Sequence, residues 1–214
     1  MKILIFAPHN DDEILGCGGT IAKYIKAGNQ VYVCEVTKGK MYETLQEEAL
    51  SAHRMLGVTE TFFLNLPVVQ LRNLNQGDIN SAMGEVVKKV NPDIAYIPHR
   101  GDMHIDHEET AGAAMVALRP VNCPELRAIY AYETLSETEW NIPAVDNAFI
   151  PNVWVDISET IEDKIRAMRC YQSQIKEFPN PRSEKAIRSL SEFRGSTVCT
   201  HNAECFMLIR EIQK

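Results

Sequence analysis

Ile3-Leu4-Ile5-Phe6-Ala7-Pro8-His9-Asn10-Asp11-Asp12-Glu13-Ile14-Leu15-Gly16 passes abruptly from an unbroken apolar run to a dense group of imidazole and carboxylate side chains. A short continuous apolar run is what a strand buried on both faces requires. Glu13 to Ala27 then reads as a helix, with Ile14, Ile21 and Ile25 on its apolar side and Gly28 as its stop. Outward from this unit the alternation repeats. Gln30 to Val36 is β-rich, Tyr42 to Leu56 is helical and closed by Gly57, and Thr61 to Leu64 reads as a strand. Asp78 to Val90 is a helix with Asp78 as its expected N-cap, ended by Asn91-Pro92. Asp93 to Pro98 is a fourth strand, Asp106 to Leu118 a helix, and Arg127 to Tyr132 a fifth strand.

This pattern predicts an α/β fold: a Rossmann-like, doubly wound, mostly parallel sheet of order 3-2-1-4-5 with helices on both faces. C-terminal additions follow. They are a strand (Trp154 to Ile157), a helix (Glu159 to Gln174), a loop over 175–200 carrying a helix at about 183–192, and a final strand (Glu204 to Arg210). The long loop holds Pro179, Pro181 and Gly195 and reads as part of a substrate lid, with Arg182, Arg188 and Arg194 to read the substrate's second moiety.

The chain of 214 residues is expected to form a single domain over 1–214. It can bury a core without help from disulfide or metal, so metal ligands point to chemistry. Lys and Arg number 22 against 29 Asp and Glu, a formal charge of −7. That balance argues against nucleic acid and anionic membrane as partners and leaves a small molecule. No apolar run approaches the ~18 residues of a membrane span, and the N-terminal apolar stretch is too short for a signal peptide. The six cysteines form no C-x-x-C pair, which fits reduced thiols in the cytoplasm. A homo-oligomer is compatible with all of this.

Two clusters carry the chemistry. His9-Asn10-Asp11-Asp12-Glu13 follows the first strand, and Gly101-Asp102-Met103-His104-Ile105-Asp106-His107-Glu108 follows the fourth. Either alone also reads as a solvated turn capping a helix. In a 3-2-1-4-5 sheet, however, strands one and four are neighbours, and their C-terminal ends flank the switch point where ligands bind. Imidazole and carboxylate converging there suit a divalent transition metal. His9, Asp12 and His107 are the expected metal ligands, with one position open for water. Asp11 is then free as a general base. His104 is placed to polarise a carbonyl oxygen, and Asp106 to hold an imidazole's other N–H. Gly16-Cys17-Gly18-Gly19 is rejected as a dinucleotide fingerprint, because the glycines fall about eight residues past the strand and acidic groups occupy the turn. Glycines inside a helix instead predict close approach to the sheet or to the site.

Ala7-Pro8-His9-Asn10-Asp11-Asp12-Glu13-Ile14-Leu15-Gly16-Cys17-Gly18-Gly19-Thr20 resembles the A-H-P-D-D-E-x-L-G-x-G-G-T signature of the PIG-L/LmbE family of zinc-dependent N-acetylglucosaminyl deacetylases. His104-Ile105-Asp106-His107 matches that family's H-x-D-H. Weaker similarity continues through Glu48 to Gly57, Tyr171-Gln172-Ser173-Gln174 and Ala203-Glu204-Cys205-Phe206. Asn10 departs from the usual proline, and His201-Asn202 stands where an aromatic residue often precedes A-E.

The resemblance implies a Rossmann-like hydrolase that removes the N-acetyl group from a GlcNAc-type amino sugar conjugate and releases acetate. It implies Zn2+, or another divalent transition metal such as Fe2+, on His9, Asp12 and His107. Asp11 would be the base, His104 the group assisting the tetrahedral intermediate, and Asp106 its support. Arg54, Arg100 and His201 are the expected substrate contacts, whereas His53 reads as a surface residue. Two other readings stay open on the residues alone: a metal hydrolase of another amide or ester, and a Rossmann-like nucleotide-binding module without catalysis.

Overall fold

The apolar run becomes an interior strand of a seven-stranded sheet. In the computed structural model, which describes residues 1–213, β1 (Lys2–Ala7) lies between β2 (Gln30–Lys38) and β4 (Ile94–Pro98), parallel to both. Strand β3 (Glu60–Pro67) extends the sheet beyond β2, and β5 (Ala128–Tyr132) extends it beyond β4, again in parallel. Strand β7 (Ala203–Glu211) joins β5 antiparallel, and β6 (Val153–Asp156) joins β7 antiparallel. The order is β3-β2-β1-β4-β5-β7-β6, so the expected 3-2-1-4-5 core stands and the C-terminal additions lengthen one side.

Strand β1 is buried on both faces because alternate side chains enter different cores. Ile3 and Ile5 pack with residues of α1 (Asp12–Lys26), α2 (Tyr42–Leu56) and α5 (Ile161–Cys170). Leu4 and Phe6 pack with α3 (Gln76–Val90) and α4 (Ile105–Ala117). The sixth helix, α6 (Glu184–Ser196), lies against β7 and runs a turn longer than the sequence suggested. Two other helices differ by two residues or more. Helix α3 is capped by Asn75, whose Oδ1 accepts the Gly77 N–H at 2.8 Å. Asp78 lies inside the first turn, where a carboxylate favours the helix dipole. Helix α5 stops at Cys170, and Tyr171 turns its ring into the core.

The glycines of α1 permit the close approach expected of them. A Cβ on Gly16 would lie 2.3 Å from the Tyr132 ring, and one on Gly19 would lie 2.8 Å from Ile157. At this point α1 is tied to the C-terminal strand. The N–H groups of Gly19 and Thr20 donate to the Glu204 carboxylate at 2.9 and 2.7 Å. Lys164 Nζ donates to Glu204 at 2.6 Å and to the Leu15 carbonyl at 2.7 Å. Both side chains are buried. Glu204→Ala would therefore strand a buried ammonium and two amides, and is expected to cost about 3–5 kcal/mol in denaturant unfolding. Adding Lys164→Met should recover part of that loss. A cost below about 1 kcal/mol for the single variant would contradict the role given to this pair.

Candidate metal centre and active site

The turn after β1 curls His9 and Asp12 around one point. The His9 N–H donates to Asp12 Oδ2 at 2.9 Å, and the Asp12 N–H reaches the His9 carbonyl at 3.3 Å. Asp11, between them, takes φ 114°, a left-handed conformation that costs a non-glycine residue about 1–3 kcal/mol. It is held there by its N–H, which donates to Glu13 Oε2 at 3.1 Å, and by its carbonyl, which accepts from Ile14 and Leu15. After β4, His104 caps α4: its Nδ1 accepts the Asp106 N–H at 3.1 Å. His107 follows on the first turn, wholly buried.

The two turns meet as the neighbouring strands require. Asp12 Oδ2 lies 3.2 Å from His9 Nδ1 and 3.1 Å from His107 Nε2. Ligands about 2.1 Å from a tetrahedral ion stand about 3.4 Å apart, so the spacing suits one divalent cation. Two buried atoms of this group, Asp12 Oδ1 and His107 Nε2, have no hydrogen-bond partner, as ligand atoms waiting for an ion would not. The outer nitrogens are occupied. His107 Nδ1 is 2.8 Å from Asp102 Oδ2, and Asp102 Oδ1 accepts the Thr138 hydroxyl at 2.6 Å. His9 Nε2 lies 3.3 Å from Asp106 Oδ2, which also accepts the Val69 N–H at 2.7 Å.

The electrostatics ask for positive charge. Burial opposes a charge on His107, yet Asp12 and Asp102 together push its pKa up to about 10. Asp12 is buried too, but the two imidazoles hold its carboxyl well below the usual range. His9, His104 and Asp106 also lie close enough to share an ion. That set is the poorer one, because the lone pair on His104 Nδ1 is already taken by the Asp106 amide. Burial and the neighbouring His9 lower His104 to about 4, so its ring is neutral near pH 7. With Nδ1 accepting the Asp106 amide, the neutral imidazole carries its proton on Nε2.

Asp11 is buried beside this group, 3.1 Å from Arg182 Nη1. Burial pushes its carboxyl up to about 8 against the pull of that guanidinium. Arg182 is fixed by Ser136 Oγ (2.9 Å) and Gln174 Oε1 (2.9 Å), with Glu137 at 3.8 Å. Of the three loop arginines, only Arg182 enters the site. Arg188 is committed to Glu162 and Glu184, and Arg194 to Glu133.

Several expected residues lie elsewhere. Asp106 turns its carboxylate to His9, with His104 farther off at 3.9 Å, because it sits on the first turn of α4 facing β1. Arg54 is exposed on the last turn of α2, one residue past the buried His53. Arg100 is exposed and lines a separate cavity of about 850 Å³ beside α4 that includes none of His9, Asp12 or His107. His201 is exposed near Asp156, at the outer β6–β7 edge. His53, expected at the surface, is buried against Glu13 and Thr61. Asp102, Thr138 and Glu137 were not expected in the site, and Arg182 was expected to read the substrate, not to pair with Asp11. Only Asp102, lying within the second cluster, and Arg182, a cation on a long loop, carried any signal in the chain.

The geometry defines an α/β protein with an imidazole–carboxylate centre at the switch point of its sheet. The sequence model described as PIG-L, GlcNAc-PI de-N-acetylase, matches residues 4–118. The chain belongs to the PIG-L family of N-deacetylases, hydrolases that open an amide bond. It is 27% identical to a diacetylchitobiose deacetylase of Thermococcus kodakarensis, over 91% of this chain and 78% of that one. A Mycobacterium sp. (strain JLS) relative, 1D-myo-inositol 2-acetamido-2-deoxy-alpha-D-glucopyranoside deacetylase, is 25% identical over 85% and 77%. Among solved structures, an N,N'-diacetylchitobiose deacetylase from Pyrococcus horikoshii shares the fold with a TM-score of 0.77, at 22% identity, over 97% of this chain and 83% of that one.

Proposed function

We propose that this single-domain chain removes the acetyl group from a GlcNAc-type amino sugar conjugate, using Zn2+ held by His9, Asp12 and His107. The observation that carries the reading is the pair of orphaned ligand atoms in a buried cluster of ligand spacing. Nitrogen and oxygen donors of this kind favour zinc over a hard cation. A divalent ion so held supplies a Lewis acid for the acetyl carbonyl and for an attacking water.

The chain's own groups do the rest. Asp11, desolvated and held by a strained turn, accepts the proton of the attacking water. It returns that proton to the amine as the C–N bond breaks, so water and amide become acetate and free amine. His104, with Nδ1 committed to the Asp106 amide, offers Nε2–H to the oxygen on which charge develops. Asp102 and Asp106 hold His107 and His9 in register. Arg182 orients Asp11. Arg182→Met is expected to lower kcat about tenfold, a barrier increase of about 1.4 kcal/mol. Arg188→Gln, whose ion pairs face outward, should change it less than about twofold. Equal effects would remove Arg182 from the site.

The named relatives act on chitobiose and inositol conjugates, which supports an amino sugar joined to a second polar group. Among the described residues no helix is long and apolar enough to cross a membrane; a cytoplasmic setting fits cysteines that form no disulfide among those residues. Acetate release measured across GlcNAc, its disaccharide, and its inositol, malate and UDP conjugates tests the reading. Loss on chelation and recovery with zinc are expected. No acetate from any of them with zinc-loaded protein would overturn it.

A further inference from the structure

Behind the same turn lies a second buried group that the deacetylation chemistry does not use. It joins Glu13 on α1, Glu35 on β2 and His53 on α2, which are 0%, 1% and 2% exposed. One ligand atom from each lies within 4.8 Å of the others. His53 Nε2 is 3.1 Å from Glu13 Oε1 and 3.9 Å from Glu35 Oε1. These separations bracket the spacing of about 3.4 Å between ligands of a tetrahedral ion. The outward atoms are anchored as ligands of a metal are. His53 Nδ1 lies 2.8 Å from Thr61 Oγ1 and Glu13 Oε2 accepts the Asp11 N–H, while the Tyr171 hydroxyl donates at 2.6 Å to Glu13 Oε1, the atom that faces His53.

Glu35 makes the group more than a network of hydrogen bonds. Both of its carboxylate oxygens are buried, and neither has a hydrogen-bond partner. Left charged, it would be an unpaired buried anion beside Glu13. Given a proton, its O–H would turn to Glu13, a carboxylate that already accepts from His53 and Tyr171. A divalent cation would satisfy the charged form, because two carboxylates neutralise it and the His53 Nε2 lone pair completes a third ligand.

We propose that Glu13, Glu35 and His53 form a second divalent-cation site of the nitrogen-and-oxygen class that takes zinc, separate from the His9–Asp12–His107 cluster. It ties α1, β2 and α2 together behind the Asp11 turn. Because all three residues are buried, the ion enters as the chain folds and leaves only when it unfolds. The catalytic cluster is more open, with the His9 side chain 20% exposed.

Zinc per chain, measured by plasma mass spectrometry on protein produced in zinc-supplemented medium and then desalted, tests this. An anomalous difference map at the zinc edge accompanies it. Two equivalents are expected, with a second peak between Glu13, Glu35 and His53. Dialysis against EDTA should leave one equivalent, released on unfolding in guanidinium. Glu35→Gln and His53→Gln should each start with one equivalent and keep none after EDTA. His107→Ala should lose the other equivalent, so failure at either cluster is read separately. One zinc per chain with no peak at the second group, an internal hydrogen-bond network only, would overturn the proposal. So would a Glu35→Gln protein with the unmodified chain's zinc content. The map on the unmodified chain decides the matter even where a variant does not fold.

Discussion

Asp11→Asn is expected to fold and bind zinc as the unmodified chain does, and to lose deacetylation by ~10² or more. The two adjacent aspartates face different tasks. Asp12 points both imidazoles' way, 3.2 and 3.1 Å from them, whereas Asp11 contacts Arg182 and lies on the strained residue of the turn. An amide at position 11 keeps the size of the side chain but cannot accept the water's proton. The turn survives because its hydrogen bonds run through the Asp11 backbone, to Glu13, Ile14 and Leu15. Zinc titration and initial rates on the purified variant check this. Activity above about a tenth of the unmodified rate, with zinc bound, would remove Asp11 as the base.

His107→Ala is expected to abolish zinc binding at the catalytic cluster and reduce acetate release to the level of the chelated protein. His104→Ala should keep the zinc and still lose most activity. The two imidazoles of H-x-D-H differ in what their nitrogens do. His107 has Nδ1 committed to Asp102 and a free, buried Nε2 facing Asp12. His104 spends its Nδ1 lone pair on capping α4, is partly exposed, and keeps Nε2 for the substrate side. Asp102→Asn should weaken zinc by ~10–100-fold without removing it. Removing His107 also leaves Asp12 and Asp102 buried without their cation. A loss of about 3–5 kcal/mol is therefore expected, and a melting curve must accompany the metal analysis. Equal zinc loss in the two alanine variants would overturn the split.

Local pattern determined much of this protein. The run Ile3 to Ala7 could only be a strand buried on both faces, and the alternation after it set the core order of the sheet. Together these brought His9 and Asp12 to His107, because neighbouring parallel strands end side by side and a spacing of three residues curls a turn around one point. Such features depend on residues close in the chain and on a topology with few alternatives. The rest depended on packing between distant segments. His201 carried the right ring, but strand order put it at the outer β6–β7 edge. His53 looked like a surface histidine until α2 packed on the sheet and enclosed it with Glu13 and Glu35. Asp102 and Thr138, and likewise Asp11 and Arg182, meet only when loops separated by tens of residues are laid over the strand ends. No periodicity marks such pairs, because a side chain's burial and partners are properties of the folded surroundings and not of its neighbours in sequence. The His9–Asp12–His107 cluster was therefore legible in the chain, whereas the groups that surround it were decided by the tertiary structure.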